Sequence, residues 1–238
     1  MDRHSDILEL LDVVRGDIEQ ISIAYAEARS NEVQENVLRP KIKSCFENLR
    51  SCLEYSAQDV WRSYTRKKNS VYFPYGKTEV LFLTSIKKNL PALPEQAPLV
   101  YKLIESIQPF VDESDWLYEL CKHTNFNKHN GLSVQVRKNS SRSTTTFGNL
   151  LRIEGHGTIT FVGSTFNGVP IGKDGSLTIS SDRTVAETVK DINIPVSLSR
   201  EFDWVKFEIE GSAYDTLELI KHSYLRISDY IAQLYKII

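Results

Sequence analysis

The chain has 238 residues, 41% of them apolar and 25% charged, with a formal net charge of −2. That balance excludes a wholly disordered or collagen-like chain and gives the molecule as a whole no pull toward nucleic acid. No uninterrupted apolar run approaches the roughly 20 residues of a membrane helix, so no membrane partner is expected.

The polar start, Met1-Asp2-Arg3-His4-Ser5-Asp6, lacks the apolar core and small-residue cleavage site of a secretory signal, which predicts a cytoplasmic protein. Ile7, Leu11, Val14, Ile18, Ile21, Tyr25 and Ala28 then follow a 4-3-4-3 spacing. This predicts an amphipathic helix capped by Ser5 or Asp6 and ended near Asn31. A second helix has Pro40 in its first turn and repeats the spacing at Ile42, Phe46, Leu49, Leu53, Ser56 and Val60, with Cys45, Cys52 and Ala57 widening the stripe. It should end at about Arg66-Lys67-Lys68, where bases suit the negative end of the helix dipole. Residues 1–35 hold nine acids and three bases, and residues 39–68 hold eight bases and three acids. Two neighbouring antiparallel helices of opposite charge would attract each other, and a basic face for RNA is the functional alternative.

Val71-Tyr72-Phe73-Pro74-Tyr75-Gly76 reads as an aromatic loop ending in a turn. Lys77 to Asn89 is a short predicted helix, stopped by Leu90-Pro91-Ala92-Leu93-Pro94. Glu95 to Gln108 is another, with Pro98 tolerable in its first turn and Pro109 as its stop. Asp112, Ser114 and Asp115 can cap a further helix bearing Trp116, Leu117, Leu120 and Cys121, which runs into a polar hinge, Thr124-Asn125-Phe126-Asn127-Lys128-His129-Asn130.

The character changes after the hinge. Short alternating runs at 133–137, 150–154, 158–162, 176–180 and 204–209 predict antiparallel strands, and nine of the eleven glycines fall between Gly131 and Gly211. The run 139–146 reads as an exposed loop or an edge strand, and Gly155-His156-Gly157 as a hairpin turn. Leu217, Ile220, Tyr224, Ile227, Ile231, Leu234 and Ile238 restore the helical spacing. The prediction is therefore an α+β fold: a discontinuous bundle of about five to six helices, 1–130 plus 212–238, with an antiparallel β-rich insertion at 131–211.

The densest polar cluster is Lys122 to Asn130. Histidine exchanges protons near neutrality, and Lys and Asn can hold phosphate oxygens. The plainer reading is that the asparagines end the helix while Lys128 and His129 bond its last carbonyls. Cys45 and Cys52 lie two helical turns apart, about 10 Å, too far for a disulfide, so buried free thiols are expected. No C-x-x-C pair, Walker loop, dinucleotide fingerprint or Gly-x-Ser-x-Gly occurs, and neither a metal nor a cofactor is expected. Phe161, Phe166, Trp204 and Phe207 read as sheet core in preference to a small-molecule sensor.

Several segments together resemble a known family. Asn48-Leu49-Arg50-Ser51-Cys52-Leu53-Glu54-Tyr55 is similar to the "LRsaLDy" helix of bacterial proteins of HEPN-like type. The aromatic loop Tyr72-Phe73-Pro74, the "QPy" turn Gln108-Pro109-Phe110 and "N..KH" at Asn125-Phe126-Asn127-Lys128-His129 follow in order. The resemblance implies metal-independent ribonucleases that work as dimers, often in defence or toxin–antitoxin systems. It would make His129 the acid/base, with Lys128 and Asn125 binding phosphate and Arg50 stabilising charge. The family signature places an Arg five to seven residues before the His, where this chain has Thr124, His123 and Lys122. That departure leaves open whether the protein is an enzyme. It favours a non-enzymatic binding or assembly module, as a homodimer or a hetero-complex with a protein partner, over a ribonuclease acting on RNA.

Overall fold

The computed structural model describes residues 3–67, 69–212 and 214–238. Met1 and Asp2 of the polar start, and Lys68 at the expected end of the second helix, lie outside the described residues. The chain divides into two units. One comprises Met1–Ser22, Leu38–Val134 and Glu208–Ile238, the other Ile23–Val37 and Gln135–Phe207.

The first unit is helical. Its long elements are α1 (His4–Ala28, up to Ser22), α2 (Arg39–Tyr64), α7 (Trp116–Asn130) and α9 (Thr216–Leu234). The heptad stripes are what they bury: Ile7, Leu11, Val14 and Ile21 from α1, Ile42 through Val60 from α2, and Leu217, Ile220, Ile227, Ile231 and Leu234 from α9. Each such side chain contributes roughly 1.5–3 kcal/mol on leaving water. α2, α7 and α9 pack against one another. The opposed charges of the first two helices meet directly, with Lys41 Nζ 2.6 Å from Asp17 Oδ1. Asp59, buried on α2, gathers both ends of the unit. It accepts from Arg3 N at 2.8 Å, Arg3 Nη1 at 3.0 Å and the Tyr235 hydroxyl at 2.7 Å.

Among the described residues there are nine helices where about five to six were expected. The prolines account for most of the difference. Pro98 and Pro109 begin helical turns, because the first turn of a helix has no use for their missing N–H. The expected helix Glu95 to Gln108 thus becomes α4 (Leu93–Gln96) and α5 (Pro98–Ser106), and Pro109 opens α6 (Pro109–Asp112). α3 (Glu79–Asn89) is capped by Thr78, whose hydroxyl accepts from Leu81 N.

The polar hinge is not a hinge. Thr124 to Asn130 form the last turns of α7, because their polar groups find partners there. The Thr124 hydroxyl donates to Leu120 O at 2.7 Å, and buried Asn127 Oδ1 accepts from Ser133 N and Oγ at 2.8 and 2.7 Å. The helix stops at Gly131, whose φ of 109° suits only glycine.

The second unit carries nine short strands, β1 (Gln135–Asn139), β2 (Ser143–Phe147), β3 (Leu151–Gly155), β4 (Thr158–Val162), β5 (Thr165–Phe166), β6 (Val169–Pro170), β7 (Ser176–Ser180), β8 (Leu198–Phe202) and β9 (Val205–Ile209, up to Phe207), and one-turn helix α8 (Val185–Val189). They form a β3-β2-β8 sheet and the pairs β1-β9, β4-β7 and β5-β6. Phe147, Ile171, Leu177, Ile179, Ile194 and Leu198 make the core, with Phe161 and Phe166 packed against it.

Two local expectations are corrected. The polar run 139–146 predicts an exposed loop or an edge strand, yet β2 is a central strand with Ser143, Thr145 and Phe147 buried. Its polar side chains are tolerated because Arg200 Nε donates to Thr145 Oγ1 at 3.0 Å. Gly155-His156-Gly157 is no hairpin, for β3 pairs with β2 and β4 with β7.

Residues 23–37, expected in the bundle, belong to the β-rich unit. Arginines hold them there. Arg137 donates to Ala28 O, Asn31 O and Gln34 O at 2.9, 2.6 and 2.9 Å, satisfying carbonyls at the end of α1. Arg200, 4% exposed, pairs with Glu32 at 3.0 Å and donates to Ser180 O and Arg183 O at 2.8 Å each. Removing one partner of a buried pair leaves a charge uncompensated. Glu32→Ala should therefore cost about 3 kcal/mol, read as a lower urea midpoint, with Glu32→Gln intermediate.

Candidate functional site

Three of the four residues singled out in the sequence come together. Arg50 from α2 and Asn125 and Lys128 from α7 line an open cleft of about 390 Å³, with Glu47, Ser51, Glu54, Tyr72 and Thr124. The fourth, His129, is exposed and is not among the lining residues. It follows Lys128 on the helix, and one step along a helix turns a side chain by about 100°.

The cleft is built outward from Arg50. Its guanidinium pairs with Glu54, one turn further along α2, and donates to the Cys121 thiol of α7. It also lies over the Tyr75 ring, 4.8 Å from the centroid. The other Glu54 oxygen accepts from Phe73 N at 2.7 Å, and the side chains of Tyr75 and Asn125 are hydrogen-bonded. Gln58 Nε2 donates to Val71 O at 2.6 Å. Gln108 is fully buried. Its amide donates to Pro74 O at 3.3 Å and Ile104 O at 3.0 Å, and its carbonyl accepts from Gly76 N at 3.2 Å. The aromatic loop is thus pinned at Val71, Phe73, Pro74, Tyr75 and Gly76, and it roofs the seam of α2 and α7.

Burial dominates the proton affinities. It pushes the Glu54 carboxyl up, against the pull of Arg50 and the Phe73 N–H. It pushes the Tyr75 phenol up as well, and raises the fully buried Cys121 thiol to about 11 although Arg50 opposes the rise. Cys121 is therefore a thiol at neutral pH, not a nucleophile.

What remains for an outside molecule is modest. Arg50 is engaged, Glu47 stands 3.7 Å from Lys43, and the Ser51 and Thr124 hydroxyls donate to backbone carbonyls. Lys128, which has no ion-pair partner among the described residues, and the exposed Tyr72 remain on the lining, beside the exposed Asn125, whose side chain is already bonded to Tyr75. Lys122, the residue nearest in charge to the missing signature arginine, is held by Glu119 at 3.1 Å. Among the described residues no group of three or more His, Cys, Asp and Glu side chains converges as a metal site would require. No helix among them is long and apolar enough to cross a membrane.

Sequence reading missed Glu54, Tyr75 and Gln108 as builders of the site. Glu54 carried a signal, since it stands four residues after Arg50 on one helical face. Comparison with protein-family models, with curated proteins and with solved structures finds no match for this chain.

Two outcomes test this geometry. Gln108→Leu leaves buried backbone groups unpaired and should cost about 1–3 kcal/mol, with faster amide exchange confined to residues 71–76. In the native protein at pH 8, Cys121 should react with a thiol reagent at least about a hundredfold more slowly than in the urea-unfolded chain.

Proposed function

We propose that this protein is a non-enzymatic binding or assembly module of HEPN-like type, acting through a protein partner or a second copy of itself within a bacterial defence or toxin–antitoxin system. The observation that carries the reading is the engagement of Arg50. A guanidinium that grips phosphate in a transition state must be free to do so, and this one is spent on Glu54, Cys121 and Tyr75. General acid–base work needs a proton-transfer group within hydrogen-bond reach of the reacting atom, and His129 stands outside the cleft. The cleft instead offers the Lys128 ammonium on α7 and the Tyr72 phenol on the pinned aromatic loop, beside an Asn125 amide bonded to Tyr75, a surface suited to polar recognition.

The alternative is a metal-independent ribonuclease with His129 as acid/base. The two separate in one experiment. The protein is incubated with end-labelled RNA in EDTA, and its mass is measured in parallel by light scattering. The module reading expects no cleavage above that of His129→Ala and a dimer or a stable hetero-complex. Metal-independent cutting that falls at least about a hundredfold in His129→Ala would replace it with the nuclease.

A further inference from the structure

β3 is an edge of the β3-β2-β8 sheet. Its register shows which of its backbone groups are free. Just past β2, Gly148 N donates to Ser197 O at 2.8 Å, and just before β2 Arg142 O accepts from Asp203 N at 3.2 Å. In an antiparallel ladder, alternate residues of a strand turn their N–H and C=O to opposite sides. The even-numbered residues of β2 therefore serve β8, while Ser143, Thr145 and Phe147 serve Gly155, Ile153 and Leu151 of β3. The N–H and C=O groups of Arg152 and Glu154 are left pointing away from the sheet, and no hydrogen bond among the described residues reaches them. The edge is open to solvent. The Arg152 and Glu154 side chains are 67% and 66% exposed. Core-facing Leu151 and Ile153 are only half-buried, whereas Phe147 and Leu198 on the two inner strands are buried.

Edge strands commonly carry charge, which keeps them from pairing with one another. Opposite signs two residues apart have the reverse effect. Let two copies of β3 run antiparallel about a two-fold axis at Ile153. Arg152 of each copy then stands opposite Glu154 of the other, and Ile153 meets Ile153. The four free backbone groups of each copy are all consumed, in four shared hydrogen bonds. Leu151 comes opposite Gly155, which has no side chain to crowd it. Sliding the strands by two residues either way sets Arg152 against Arg152 or Glu154 against Glu154, so charge selects this register. Arg152 Nε already lies 2.9 Å from Glu154 Oε1 along the strand. The charges therefore choose the partner and the register, and the backbone bonds and the covering of Ile153 supply the drive.

We propose that β3 is a self-association edge, where a second copy of this chain pairs antiparallel about Ile153 and joins the two β3-β2-β8 sheets into one. A five-residue edge makes a small interface, so the dimer is weak, with a Kd roughly between micromolar and millimolar. The edge gives the second copy of the module reading a surface made of none of the cleft residues. That reading keeps a protein partner, or another face, if the edge fails.

The test is sedimentation equilibrium of the intact protein in a concentration series up to about 1 mM. The parent should dimerise. Arg152→Glu and Glu154→Arg, both at exposed positions, should each self-associate at least about tenfold more weakly. An equimolar mixture of the two variants makes every cross-strand pair opposite in sign again, so it should recover the parent's affinity as a heterodimer. The double variant Arg152→Glu/Glu154→Arg should recover it as a homodimer. A parent that stays monomeric at about 1 mM would overturn the proposal. So would weakened single variants that neither the mixture nor the double variant restores. A dimer unchanged in both single variants would overturn the edge while leaving the module reading in place.

Discussion

A guanidinium cannot lie inside a helical seam unless its charge is answered there. The desolvation of Arg50 is large, and only a full set of partners makes its position tolerable. Glu54 supplies the charge, Cys121 the acceptor on the opposite helix and Tyr75 the ring face. Each partner has a further consequence. Glu54 holds the aromatic loop by its backbone, Cys121 fixes the spacing of α2 and α7, and Tyr75 reaches Asn125. The cleft is what that network leaves open. A residue that looked catalytic in the sequence is a keystone in the structure, and both roles would favour the same amino acid at the same place.

The second unit uses the same device. Arg200 is more deeply buried than Arg50, and it too is matched by one carboxylate and a ring of oxygens. It also explains how a strand of serines and threonines can be central to a sheet. The buried Thr145 hydroxyl takes its partner from neighbouring strand β8 and needs no water, so β2 escapes the rule that polar runs lie at edges.

The long helices were legible because their burial repeats with the helical period, and most of each stripe became core, except that Ile18 and Tyr224 are only half-buried and Ile238, past the end of α9, is exposed. What could not be read follows from competition between local and distant forces. Thr124, Asn127 and Asn130 have hinge-like chemistry, but Leu120 O, Ser133 and Phe126 O absorb it within or just beyond a helix. Pro109, read as a helix stop, fits a helix start as well, and neighbours decide. Of the site, Arg50, Asn125 and Lys128 were named and do share a cleft. His129 was named as the acid/base that the family resemblance implies, yet it lies one step past Lys128, and adjacency in sequence is not adjacency around a helix. Gln108 stood out only as part of the "QPy" turn, and its role as a buried amide is recognised only by what it touches.

The assignment of residues 23–37 to the β-rich unit has a consequence for how the molecule is made. The chain passes from one unit to the other at Ser22, at Val37, at Val134 and again at Phe207. Neither unit is therefore a continuous stretch of polypeptide. α2 and α7 wait for α9, which is synthesised only after the whole β-rich unit, and the stitch on Glu32 waits for Arg200. Closing such distant contacts carries an entropic toll before they give anything back. Each half-made unit spends translation with an apolar face uncovered, which is where an emerging chain is most exposed to misassembly.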